Sequence, residues 1–404
     1  MSISNNGYHF INNYINFFKF FNKDEELDKT IVKKLYLDAK NSDSFAKSFT
    51  KTINKESIII TKDNEKVIEE LNLNTFTQFT STHIIKEMKQ IKKVLKYNFI
   101  INNIEYQLVF LLLKNGDERI IDKKLKLFVR NIHFLIKYTT SSMKTLKIVI
   151  LFSEEKKEKN KDKSILNANN VNTGVTRSCA IDGRIFLYRQ EELIKVLIHE
   201  LIHSKCIDFS NINVNEEIFD IIKEMFNINS SFIISESYSE FWANIINTIF
   251  VAIDATGTTG GNLFELFYEN FNLLHIIEKI FSLHQIVSIL DYMELTYKDI
   301  ITGRKVKKYT EDTNVFAYYI LKTIWLYFGN DYLSFMKYKN TKNLLNSNNN
   351  LRYIKEIVEK TKKYYKNNKF LSIIKNMENK FLSLKNNENI EIINSLRMTI
   401  LEQK

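Results

Sequence analysis

Apolar residues recur three and four positions apart through "DEELDKTIVKKLYLDAK" (24–40) and "HIIKEMKQIKKVLKY" (83–97). Side chains at that spacing share one helix face, so residues 1–95 read as short amphipathic helices joined by polar links. The pattern changes at "YNFIINNIEYQLVFLLLKNGD" (97–117), where β-branched and aromatic residues flank Asn102-Asn103 and stop at Asn115-Gly116-Asp117. This predicts a β-hairpin. A long amphipathic helix, "ERIIDKKLKLFVRNIHFLIKY" (118–138), follows, and the apolar run "LKIVILF" (146–152) predicts a buried strand.

The charge run "SEEKKEKNKDKS" (153–164) reads as an exposed loop. After it the pattern gives an extended piece at Val171–Thr176, a turn at Asp182-Gly183 and a short strand "RIFLYR" that feeds an apolar helix. The first turn of that helix holds Glu191 and Glu192, favourable at its positive end. Nearly everything beyond has helical period. The glycine-rich "ATGTTGG" (255–261) lacks a preceding strand and a following Lys-Ser or Lys-Thr, so it reads as a flexible connection and not a phosphate cradle. The expected class is α+β and predominantly helical. Its expected parts are a helical region (1–95), an α/β part (96–206), a helical part (207–335) and a helical C-terminal region (336–404).

Composition changes this picture little. With 404 residues, 44% hydrophobic and 26% charged, the chain can bury a large core. It has no Pro and nine Gly beside an excess of Asn, Lys, Ile, Phe and Tyr, a bias toward AT-rich codons that reports a genome and not a fold. The net charge of +11 comes mostly from scattered Lys, without Arg forks or a dense basic block. That favours a solvated surface over a specific nucleic-acid partner. Two cysteines, Cys179 and Cys206, cannot build a disulfide framework and suit a reducing compartment. With no secretory signal and no uninterrupted apolar run near the roughly 20 residues of a membrane span, the cytoplasm is the expected location.

The chemistry concentrates in "KVLIHELIHSK" (195–205). His199 and His203, four apart, lie one turn apart on one helix face and can reach a single ion, while Glu200 stands beside that ion's open position. Buried without partners, three polar groups in so apolar a helix would each cost about 1–3 kcal/mol, a cost that one bound cation offsets. A third ligand six residues beyond His203 would need His or Asp, but Phe209 stands there and Asp208 is one residue out of register. The alternative is a Glu from a second helix with an acidic residue one turn later, and "SESYSEFWANIIN" supplies Glu236 and Glu240.

"HELIH" followed by "ESYSE" resembles the gluzincin metallopeptidases. The blocks "NVNTGVT", "IFLYRQEELIKVLIHELIHSKCIDFS", "ESYSEFWANIIN" and "FAYYILK", within residues 146–330, are similar to an uncharacterised metallopeptidase-like family of large cytoplasmic DNA viruses. The resemblance implies a zincin-like catalytic half followed by a helical half, with one zinc ion per chain held by His199, His203 and Glu236. It also implies Glu200 as general base and acid and Glu240 as the carboxylate behind a zinc-binding imidazole. Asp208 is a second candidate for that supporting place, or a helix-ending surface residue. Ser239 stands where many gluzincins have Ala, a small-for-small change expected to be harmless. Candidate oxyanion donors are Tyr318, Tyr319, His275 and His284, the tyrosines favoured because they lie in a resembling block. Asn172, Thr173 and Gly174 would belong to an edge strand that pairs with an extended polypeptide substrate.

The expected function is therefore zinc-dependent peptide hydrolysis. Its rival is a non-catalytic zinc-binding virion or scaffold protein that keeps the fold, but such a role makes no demand for Glu200.

Overall fold

The computed structural model describes residues 5–21, 26–61, 66–71, 73, 80–113, 118–228, 230–257, 262–303, 309–340, 343–347, 350–386 and 390–403. The strands are β1 (Asn54–Ile59), β2 (Lys93–Ile101), β3 (Ile104–Leu112), β4 (Thr145–Leu151), β5 (Leu166–Asn167), β6 (Gly174–Thr176), β7 (Asp182–Leu187) and β8 (Glu311–Asp312). Six of them form one mixed sheet in the order β1-β2-β3-β4-β7-β6, and β5 pairs with β8 separately. The fold is α+β, with many helices around this sheet.

The hairpin forms where the asparagines predicted it. Ile101 pairs with Ile104, and Asn102 and Asn103 both take positive φ, 50° and 59°, as a two-residue turn of matching twist requires. The end of that reading, Asn115-Gly116-Asp117, lies outside the described residues, as do Thr258–Gly261 of the glycine-rich connection. β3, β4 and β7 run parallel and are buried on both faces. Leu108, Phe110, Ile148, Ile150, Ile185 and Leu187 join the main core, while Val109, Leu111, Val149, Leu151 and Phe186 face a smaller one under Leu71, Leu73 and Ile84. Burial on both sides is why these runs are continuously apolar and do not alternate.

Four local expectations need correction. Asn54–Ile59, within the region read as helical, is the outer strand β1, because it can pair with β2 along its whole length. The helix expected over 83–97 stops at Met88, and β2 takes over at Lys93, where hairpin pairing outweighs helical period. The turn placed at Asp182-Gly183 lies at Ser178-Cys179, where Cys179 has φ of 57°. Gly183 is instead needed for close packing, since a Cβ there would sit 2.8 Å from both Leu146 Cδ1 and Met143 Cε. The charge run 153–164 is not wholly exposed either: Lys157 is buried, its ammonium donating to Glu192 Oε2 at 2.8 Å.

The motif helix (Leu193–Ser204) lies between the β6–β7 end of the sheet and the helix Ile234–Thr256. Beyond stands the helix Leu263–Tyr292, long and apolar enough to cross a membrane but with 89% of its most apolar window buried inside the protein. The main core draws on residues from Phe10 to Leu401. Its last contributor is an extended C-terminal segment whose Leu396, Met398, Ile400 and Leu401 are all buried.

Candidate metal centre

Every residue of the motif helix is buried, which its apolar sequence dictates. Glu191 and Glu192, expected in the first turn, instead precede it: the helix begins at Leu193, and Glu192, with φ of 57°, sets the angle at which the chain enters. Its carboxylate accepts from the Met398 and Thr399 N–H groups, both at 2.7 Å, and so ties the helix start to the C-terminal segment. At the far end Cys206, φ 52°, reverses the chain and brings Asp208 back beneath the helix. Cys206 is disulfide-bonded to Cys179, a cross-link between the turn before β7 and the end of the motif helix that does not suit the reducing compartment expected from the cysteine count.

One potential ligand atom from each of His199, His203 and Glu236 lies within 4.8 Å of the others, a group that can hold a metal ion. Glu236 Oε2 is 3.1 Å from His199 Nε2 and 3.2 Å from His203 Nε2, and the two imidazole nitrogens are 3.0 Å apart. Glu236 stands in the first turn of its helix, where the dipole favours a carboxylate. Each imidazole is held from behind. His199 Nδ1–H donates to Glu240 Oε2 at 3.1 Å, and His203 Nδ1–H donates to Asp208 Oδ2 at 2.6 Å. The donor set therefore fits a divalent ion that takes two neutral imidazoles and a carboxylate: each Nε2 faces the shared centre because each Nδ1 is committed elsewhere.

The two imidazoles and the carboxylates around them are strongly coupled. Burial alone would lower His203, yet Glu236 and Asp208 push its imidazole well above the ordinary 6.5, and His199 is raised through its bonds to Glu236 and Glu240. Glu236 is correspondingly held far below the usual carboxylate range, against its burial, by the two imidazoles. Burial pushes the Glu200 carboxyl up instead.

Glu200 lines a cleft beside this centre together with Asn172, Thr173, Gly174, Tyr318 and Met398. Gly174 lies on β6, which among the described residues pairs only with β7 and so forms an edge of the sheet. Any larger residue would collide there, since a Cβ on Gly174 would sit 2.8 Å from Leu187 Cδ2 and 3.1 Å from Glu200 Cγ.

The two tyrosines separate. Tyr318 faces the centre, its ring centroid 6.0 Å from that of His199, and burial beside the Glu236 carboxylate keeps its phenol protonated. Tyr319 points away and donates to the Leu396 carbonyl at 2.6 Å. Both lie in a π-helical stretch, Phe316–Leu321, a wider turn often found at functional sites. Neither candidate histidine reaches the cleft. His284 is hydrogen-bonded to the Tyr14 hydroxyl at 2.7 Å, and His275 is buried against Phe271.

Three contributors escaped the sequence reading. Ser239 is not merely small: its hydroxyl donates to Asp208 Oδ2 at 3.1 Å, steadying the partner of His203. Lys195, one turn before His199, is buried with its ammonium on Glu240. A charged residue amid Leu193–Ile198 was the visible signal. Met398 closes the cleft from nearly 200 residues away, and no local pattern announces it. In comparisons with protein families, curated proteins and solved structures, the chain matched none.

Proposed function

We propose that the chain is a zinc-dependent peptidase of the gluzincin type, with a zincin-like arrangement around the motif helix. The observation that carries this reading is the joint geometry of His199, His203 and Glu236 with Glu200 lining the cleft beside them. A bare structural metal site would not need that last carboxylate. His199, His203 and Glu236 would hold the zinc, and Glu240 and Asp208 would fix the two imidazoles. Zinc bound there would supply Lewis-acid polarisation of a scissile carbonyl and activation of water.

The remaining steps belong to the protein. Glu200 takes a proton from the attacking water and returns it to the leaving amine, a role suited to a carboxyl raised by burial. The Tyr318 phenol, kept protonated, donates to the oxygen on which negative charge develops. The outer edge of β6 offers backbone groups to an extended peptide, and Gly174 lets β6 itself lie close against Glu200 of the motif helix. The test is cleavage of a broad peptide library by zinc-loaded protein beside Glu200→Gln. Hydrolysis by the wild type, with a loss of about 10²–10⁴-fold in the variant at unchanged zinc content, supports the mechanism. Full activity in Glu200→Gln contradicts it.

A further inference from the structure

Lys195, His199 and His203 are spaced four apart and line one face of the motif helix, and Glu236 and Glu240 do the same on the facing helix. The two rows interlock. Glu236 touches His199 and His203, and Glu240 touches His199 and Lys195.

The two histidines are consequently held in different ways. Behind His203, Asp208 takes its other hydrogen bonds from hydroxyls, Ser239 Oγ at 3.1 Å and Ser210 Oγ at 2.9 Å. Behind His199, Glu240 gives Oε2 to the imidazole and Oε1 to the Lys195 ammonium. Side chains of this lysine and glutamate are only 2% and 1% exposed. Burying such a pair is costly, and an apolar residue at 195 would satisfy the helix and its packing at lower cost. What the lysine adds is charge-assisted contact that fixes the Glu240 carboxylate and compensates its charge.

Building on the metal reading above, we propose that Lys195 is a positioning residue: by gripping Glu240 it fixes the orientation and donor strength of His199, and so sets the affinity of the site for zinc.

The test is the zinc dissociation constant of the full chain, measured by competition with a chromophoric chelator. Wild type is compared with Lys195→Arg, Lys195→Met and the double variant Lys195→Met/Glu240→Gln, with melting of each metal-free protein recorded in parallel. Lys195→Met leaves Glu240, the direct partner of His199, in place but no longer held, so zinc should bind about 10-fold more weakly, the low end of the loss for removing such a partner outright, and Lys195→Arg should recover most of it. The double variant removes both charges of the pair at the expense of part of the counter-charge on buried Lys322, so it should melt closer to the wild type than Lys195→Met does and keep the weakened affinity. Cobalt bound in place of zinc should show a shifted visible spectrum in Lys195→Met and not in Lys195→Arg. Wild-type affinity in Lys195→Met overturns the assignment. Absence of zinc binding by the wild type overturns the metal reading itself, and this inference with it.

Discussion

Asp208 Oδ2 accepts the Nδ1–H of His203 at 2.6 Å, although only five residues separate them and a helix end lies between. The left-handed Cys206 makes the reversal, and the hydroxyls of Ser239 and Ser210 hold the carboxylate in place. Asp208→Asn leaves shape and burial nearly unchanged but weakens the acceptor. Zinc affinity should fall about 10–100-fold, measured by chelator competition, and an unchanged affinity would leave Asp208 a purely structural residue.

Tyr318 and Tyr319 are adjacent, yet only Tyr318 faces the metal centre. Tyr318→Phe should lower kcat by about 10²–10³-fold with KM little changed, since the phenol acts on charge that develops only in the transition state. Tyr319→Phe loses the bond to the Leu396 carbonyl and should act on stability instead. Steady-state kinetics on one peptide substrate separate the two. Equal effects on kcat would remove Tyr318 from the mechanism.

Burial pushes Glu311 up to about 8 against hydrogen bonds from the Phe316 N–H, at 2.8 Å, and from Ser230 and Tyr309. The folded protein thus retains a proton that the unfolded chain sheds above its ordinary 4.5. This contribution to stability is complete below that value and is lost as pH rises toward about 8. Glu311→Gln, always neutral, should remove the decline. Melting temperatures followed from pH 4.5 to 8 should converge at the acid end and favour the variant at the alkaline end. Parallel curves would contradict the shift.

Glu192 joins Lys157, Met398 and Thr399 at the start of the motif helix. Glu192→Gln leaves the Lys157 ammonium buried without its counter-charge and should cost about 3–5 kcal/mol in denaturant unfolding. It should also loosen the C-terminal segment, so that trypsin cuts after Arg397 faster than in the wild type. Unchanged proteolysis would show that the segment is anchored elsewhere.

The parts of the site legible in the sequence are those fixed by helical spacing alone. His199 and His203 share a face because they are four apart, Glu236 and Glu240 for the same reason, and the hairpin followed from two asparagines able to take positive φ. What stayed hidden depends on irregular backbone or distant chain. Asp208 was a candidate in the sequence, but its partner was not, because it reaches His203 only through a left-handed residue, and the choice between Tyr318 and Tyr319 depends on a π-helical stretch that shifts the phase of its side chains. Burial of Lys157 needs Glu192, which in turn caps a segment two hundred residues away. β1 carries too little apolar alternation to announce itself, and its place is set by pairing with β2.

The most direct measurement is the zinc content of the purified full-length chain beside its His199→Ala and Glu236→Gln variants, after dialysis against a weak chelator. The account predicts about one zinc per wild-type chain, as a His2Glu donor set requires, and near-complete loss in both variants. Equal zinc in all three, or none in the wild type, would contradict it.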